Sequence, residues 1–112
     1  MPYDIILAPE AVEDLHHLKA NIRASVRAAL ASHLRQQPTR VSKSRIKRLR
    51  GLRRPQYRLR VDDIRVFYDV REQVVEILAI ITKSEVEAWL AQFGELEGGA
   101  SDEADTAFGS EE

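Results

Sequence analysis

The 112-residue chain reads as one α+β domain: an antiparallel-rich sheet of about four or five strands, two N-terminal helices on one face and a short C-terminal helix. Three observations carry that reading. Residues 56–68 alternate apolar and basic side chains about a two-residue acidic turn, the signature of a β-hairpin. Residues 74–81 are nearly continuously apolar, as in a buried strand. Ahead of both, apolar residues recur every three or four positions, the period of helices with one buried stripe.

In chain order, Tyr3–Ala8 is a short apolar strand, expected inside the sheet rather than at a wet edge. Pro9 suits the first turn of a helix, and Glu10, Glu13 and Asp14 favour its positive end. Val12, Leu15 and Leu18 share one face of this helix, which ends near Ala20. The spacing of Ile22, Val26, Leu30 and Leu34 predicts a second helix from Asn21, as N-cap, to Gln36, with Pro38 beyond it. A short strand at Ile46–Leu49 leads into the hairpin. There Gln56, Arg58 and Arg60 point to one side and Tyr57, Leu59 and Val61 to the other. After Asp62-Asp63, Ile64, Val66 and Tyr68 alternate with Arg65 and Phe67. The strand of residues 74–81 follows a turn at 71–73, and a last helix runs from a cap at Ser84 to Gln92, ended by Gly94.

The formal net charge of −1 hides a split. Of the 18 acids, seven lie in residues 95–112, where there is no base; the remaining 11 stand against 17 bases, so residues 1–94 carry a net +6. Residues 1–94 are therefore the expected folded domain, and 95–112 an acidic disordered tail with too little apolar surface to pack. This tail reads either as a solubilising extension or as a segment that folds back on the basic groove. With no cysteine there is neither a disulfide framework nor a Cys-based metal site or nucleophile. No run spans a membrane and the N-terminus is not a signal peptide, so a cytoplasmic protein without membrane partners is expected.

Residues 40–60 hold ten bases and no acid. Such runs are commonly just solvated surface. Here they alternate with core residues on strands, and like charges without acids among them oppose folding unless a polyanion offsets them. Nucleic-acid contact is the expectation, through Arg45, Lys47, Arg48, Arg50, Arg53 and Arg54 beside the hairpin arginines. His16 and His17 point to different sides of a helix, a poor arrangement for chelation, and with His33 they read as structural. No metal or cofactor is expected. Trp89 and Phe93, at i and i+4, read as packing residues, and Tyr57 and Tyr68 as core residues rather than base-stacking platforms.

The pattern Leu49-Arg50-Gly51, Tyr57-Arg58-Leu59-Arg60-Val61, an acidic turn, then Ile64-Arg65-Val66-Phe67-Tyr68-Asp69-Val70 resembles the RelE/ParE superfamily of bacterial type II toxin–antitoxin toxins, the RelE branch more closely. The resemblance extends over residues 3–93 and implies the same α+β fold. It also implies a ribosome-dependent mRNA endoribonuclease, which cuts mRNA in the A site by 2′-hydroxyl attack on the adjacent phosphate and so inhibits translation. By position, Arg65 takes the role of a transition-state phosphate clamp, while Arg58 and Arg60 contact the substrate phosphate or take part in proton transfer. RelE-type toxins place a further base, and often a tyrosine or histidine, after the last strand. Residues 81–89 contain neither; Lys83 stands in the place of the base, with Glu85 and Glu87 as nearby carboxylates. The implied partners are a cognate antitoxin, the ribosome and mRNA, and a higher-order toxin–antitoxin complex. A ParE-like DNA gyrase inhibitor and a catalytically inactive binding module are the alternative readings on this fold.

Overall fold

The computed structural model describes residues 2–97. In chain order the elements are β1 (Asp4–Leu7), α1 (Pro9–His17), α2 (Ala20–Ala29) running into a π-helical turn at Leu30–Leu34, β2 (Ile46–Arg48), β3 (Leu52–Arg54), β4 (Tyr57–Val61), β5 (Ile64–Arg71), β6 (Val74–Thr82), a 3-10 turn at Lys83–Glu85, α3 (Val86–Phe93) and β7 (Glu95–Leu96). Five strands form a mixed sheet in the order β1-β6-β5-β4-β2; only the β1–β6 pair is parallel. β3 and β7 make a separate antiparallel pair.

The period-two pattern of the hairpin sorts the two faces as the sequence implied. Leu59, Ile64, Val66 and Tyr68 enter the main core with Val26, Leu30 and Leu34 of the α2 segment and Ala11 and Leu15 of α1. The Tyr68 hydroxyl, buried there, donates to the Pro38 carbonyl at 2.6 Å, which ties down the chain after the π-helical turn. Burial and the neighbouring Tyr57 ring hold its proton well above the usual tyrosine range. Phe67, Ala79 and Ile81 face the other way and form a second, smaller core under Val86, Trp89 and Leu90 of α3. The C-terminal helix therefore covers the face opposite α1 and α2.

Several boundaries differ from the sequence reading, each for a local reason. β1 is an edge strand, with Ile6 53% exposed, where its apolar run predicted the interior. Its four residues pair only with Val74–Ile77, which leaves the second half of β6 without a strand on that side. A bulge at Leu78 falls at this point, and Asp14 of α1 accepts the Ile80 N–H at 2.9 Å in place of a strand carbonyl. Asn21 lies inside α2, whose cap position is Lys19. Thr82 rather than Ser84 begins the last helical segment, in a capping box with Glu85. Gly94 closes α3 so tightly that a Cβ there would sit 2.6 Å from the Leu90 carbonyl oxygen. The fold also extends past 94: Glu95 and Leu96 pair with β3, and the Glu97 N–H donates to the Gly51 carbonyl at 3.0 Å. The rest of the expected acidic tail, residues 98–112, lies outside the described residues.

Candidate nucleic-acid interface

Lys47, Arg58, Arg60 and Arg65 come together on the sheet face away from α1 and α2. The register explains why: Lys47 lies directly opposite Arg58 across β2–β4, and Arg60 directly opposite Arg65 across β4–β5. Directly opposed like charges destabilise a sheet. Among the described residues, none of the four has an acidic partner within salt-bridge distance. The apolar border of this basic face is Phe67, which pairs with Arg58, and Ile81, which pairs with Arg65. Trp89 stacks on Phe67 with ring centroids 5.1 Å apart, so α3 braces one side of the face.

The arginines differ in what they can offer. The Arg58 Nε is buried with no hydrogen-bond partner, a donor left open inside a cluster of cations. Burial first, then the charges of Arg65 and Arg60, lowers its proton affinity. Arg60 is exposed. Arg65 is only 7% exposed, and its Nη1 donates to the carbonyls of Asp62 at 2.7 Å and Ile64 at 3.1 Å. One arm of its guanidinium thus holds the β4–β5 turn, which leaves its charge and its remaining N–H groups for an anion. The Lys83 amide donates to the Asp63 carbonyl at 2.8 Å, which brings the end of β6 to the same turn. Glu85 accepts from the Thr82 amide at 2.9 Å and the Thr82 hydroxyl at 2.8 Å. These bonds hold its carboxyl below the usual range, so it is an ionised cap rather than a proton donor. Glu87 lies exposed in the first turn of α3.

The rest of the basic run is directed elsewhere. Arg45 donates from Nη1 to His33 Nε2 at 3.0 Å, which makes that ring nitrogen an acceptor and the imidazole neutral. Burial and the Arg45 charge lower the His33 pKa in the same sense. Arg48 lies over the Tyr57 ring, on the helix side of the sheet, and bonds the Gln56 carbonyl. Arg53 pairs with Glu95 at 2.6 Å, and Arg54 with Asp69 at 3.3 Å and Glu76 at 3.4 Å. Asp69, nearly buried, also accepts the Gln56 N–H at 2.8 Å; desolvation outweighs these contacts and raises its pKa. Arg50 is exposed in the β2–β3 connection. Of the six cations expected to touch RNA, Arg45, Arg48, Arg53 and Arg54 have partners within the fold, while Lys47 and Arg50 are exposed on the β2 side of the sheet.

Tyr57 and Tyr68 stack on each other on the core side, 5.4 Å apart, and neither is presented to a base on the cationic face. Among the described residues, no group of three or more His, Asp or Glu is placed to hold a metal. The four cations can bind and orient a phosphodiester and offset charge that develops on it.

A second basic surface was not anticipated. A cleft of about 490 Å³ between β1, α1 and α2 has an apolar floor that includes Ile5, Leu7 and Leu15 and is bordered by Arg23, Arg27 and Arg35. Arg23 donates from Nη2 to the Leu18 carbonyl, and its Nε is buried without a partner. The spacing of these arginines by four and eight residues on a helix was the signal for a shared face.

The family model for the ParE toxin of type II toxin–antitoxin systems (parDE) matches residues 5–87. Among solved structures, a chain of the RelBE2 toxin–antitoxin complex of Mycobacterium tuberculosis is 28% identical, with a TM-score of 0.56, over 74% of this chain and 100% of that one. Two further chains share the fold. One is from the RelE–RelB complex of Pyrococcus horikoshii, with 24% identity and a TM-score of 0.61 over 74% of this chain and 97% of that one. The other is a free E. coli RelE double mutant, with 21% identity and a TM-score of 0.61 over 80% and 92%. No curated protein matches the chain.

Proposed function

The chain belongs to the ParE toxin family, within the RelE/ParE superfamily of type II toxin–antitoxin toxins, and on that footing we propose that it is a ribosome-dependent mRNA endoribonuclease acting in the cytoplasm. The observation that carries the proposal is the unpaired quartet Lys47, Arg58, Arg60 and Arg65, with a buried open donor at its centre. In the reaction, the 2′-oxygen of the nucleotide before the cut bonds to phosphorus as the bond to the 5′-oxygen breaks. Negative charge builds on the phosphoryl oxygens, and rigid guanidinium groups offset it most effectively when they are fixed beforehand. Arg65, braced by the turn, and Arg58, fixed in the sheet, supply that charge; exposed Arg60 and Lys47 position the strand. The 2′-hydroxyl proton goes to a group other than the three arginines, because guanidinium stays protonated. The Lys83 ammonium is the candidate donor to the departing 5′-oxygen.

A cognate antitoxin is the expected protein partner, and higher-order assembly would follow from it. An acidic amphipathic segment matches the cleft bordered by Arg23, Arg27 and Arg35, where apolar floor and cationic rim lie side by side. The decisive experiment is a translation reaction with purified protein in which mRNA 5′ ends are mapped. Ribosome-dependent cuts in the A-site codon that disappear in Arg60→Ala and Arg65→Ala support the proposal. Intact mRNA with unimpaired translation refutes it.

The second reading is gyrase inhibition. The ParE family match favours it, as does a cationic face to which none of the three tyrosines or three histidines contributes. Supercoiling by gyrase, assayed with the same preparation, separates this reading from an inactive binding module.

A further inference from the structure

We propose that the acidic segment 98–112 of this chain docks on its own cationic face, over Lys47, Arg58 and Arg60, and competes there with nucleic acid. The inference rests on reading that face as an anion site and is independent of mRNA cleavage. Three observations converge on this occupant.

The described chain ends within backbone reach of the face. The Glu97 N–H is bonded to the Gly51 carbonyl, and only four residues separate Gly51 from Lys47, a backbone reach of at most ~14 Å. From Glu97 the first acid of the segment, Asp102, is five residues on, within ~18 Å of further reach. The charges also match. Residues 98–112 carry Asp102, Glu103, Asp105, Glu111 and Glu112 and no base. The face carries Lys47, Arg58, Arg60 and Arg65, none of them paired with an acid among the described residues. Finally, the same C-terminal stretch already neutralises the neighbouring part of the basic run, through Glu95 on Arg53 at 2.6 Å. Continuing that pairing onto the next cations relieves the directly opposed Lys47–Arg58 and Arg60–Arg65 charges without a foreign anion.

The consequence is a built-in threshold for polyanions. A segment joined to the face acts at an effective concentration on the order of millimolar, so weak docking lowers the affinity for short, non-specific RNA about two- to fivefold. A substrate with many phosphate contacts displaces it. The competition fades as salt screens both partners.

The chain lacks cysteine, so Thr106→Cys provides a unique attachment point for a nitroxide on the full-length protein. Paramagnetic broadening of the Lys47, Arg58 and Arg60 amides is expected, reversed by high salt or by single-stranded RNA. A full-length variant carrying D102N, E103Q, D105N, E111Q and E112Q should bind an RNA oligonucleotide several-fold more tightly at low salt, with a steeper salt dependence. Broadening centred on Arg23, Arg27 and Arg35, or none above the level elsewhere in the protein, overturns the proposal. RNA shifts at Lys47 and Arg58 without tail broadening remove the docking alone, whereas absence of both also removes the anion-site reading.

Discussion

Arg58→Met tests whether the cationic face is held together against its own repulsion. Arg58 sits on β4 with its Nε buried and unpartnered and with Lys47 directly opposite. An unsatisfied buried donor costs about 1–3 kcal/mol, and an opposed like charge about 0.2–1 kcal/mol. Folding lowers the proton affinity of Arg58, so its charged form opposes folding throughout the neutral range. Methionine keeps most of the apolar stem and removes both penalties. A net gain of about 1–2 kcal/mol is expected, which for a domain of this size raises Tm by roughly 5–15 °C. Thermal unfolding followed by circular dichroism at low salt is the assay. Salt should raise the wild-type Tm more than that of the variant, because only the wild type has the full repulsion to screen. A single-stranded RNA should likewise stabilise the wild type more than the variant, which keeps Lys47, Arg60 and Arg65 of the face. A variant that melts at or below the wild-type temperature at low salt would falsify the account, since the guanidinium would then be well accommodated.

Arg60→Ala should weaken RNA binding and reduce the slope of log K against log salt by about 0.7, the share of one single-strand phosphate contact. Arg53→Ala and Arg54→Ala, whose cations are engaged by Glu95, Asp69 and Glu76, should leave that slope unchanged. Asp14→Ala strips the acceptor from the Ile80 amide at the β6 bulge and should cost about 1–3 kcal/mol in urea unfolding. Asp14→Asn keeps an oxygen acceptor and should lie much closer to wild type. Desolvation raises the Asp14 carboxyl above its ordinary 3.8, so folding takes up a proton between that value and the native one. Its contribution to wild-type stability therefore grows as pH falls through that window, and Asp14→Asn should abolish this part of the pH dependence. Gly94→Ala drives a Cβ against the Leu90 carbonyl oxygen and should lower Tm by several degrees, about 1–3 kcal/mol of overpacking. An unshifted Tm would mean that the end of α3 yields freely.

Much of the fold was legible because it is written in local periods. The alternation from Gln56 to Tyr68 assigned every side chain of the hairpin to a face, and the structure keeps each assignment: Leu59, Val66 and Tyr68 in the core, Arg58, Arg60 and Arg65 away from it. The stripe of Val26, Leu30 and Leu34 likewise packs as its spacing requires. The basic character of the body, masked by acids after residue 94, was a matter of counting.

What the tertiary structure alone decided is which charges meet. Along the chain, residues 40–60 contain no acid, yet Arg53 and Arg54 are neutralised by Glu95, Asp69 and Glu76, which lie 15 to 42 residues away. The β1–β6 crossover and the β3–β7 pair were equally invisible, because no local pattern encodes a partner strand; β1 looks internal by its apolar run and is an edge by topology. Composition records how many cations a chain has, and periodicity records which side they leave from. Whether a cation finds an acid depends on Coulomb contacts between segments remote in sequence, and only the folded register separates the free quartet from its paired neighbours.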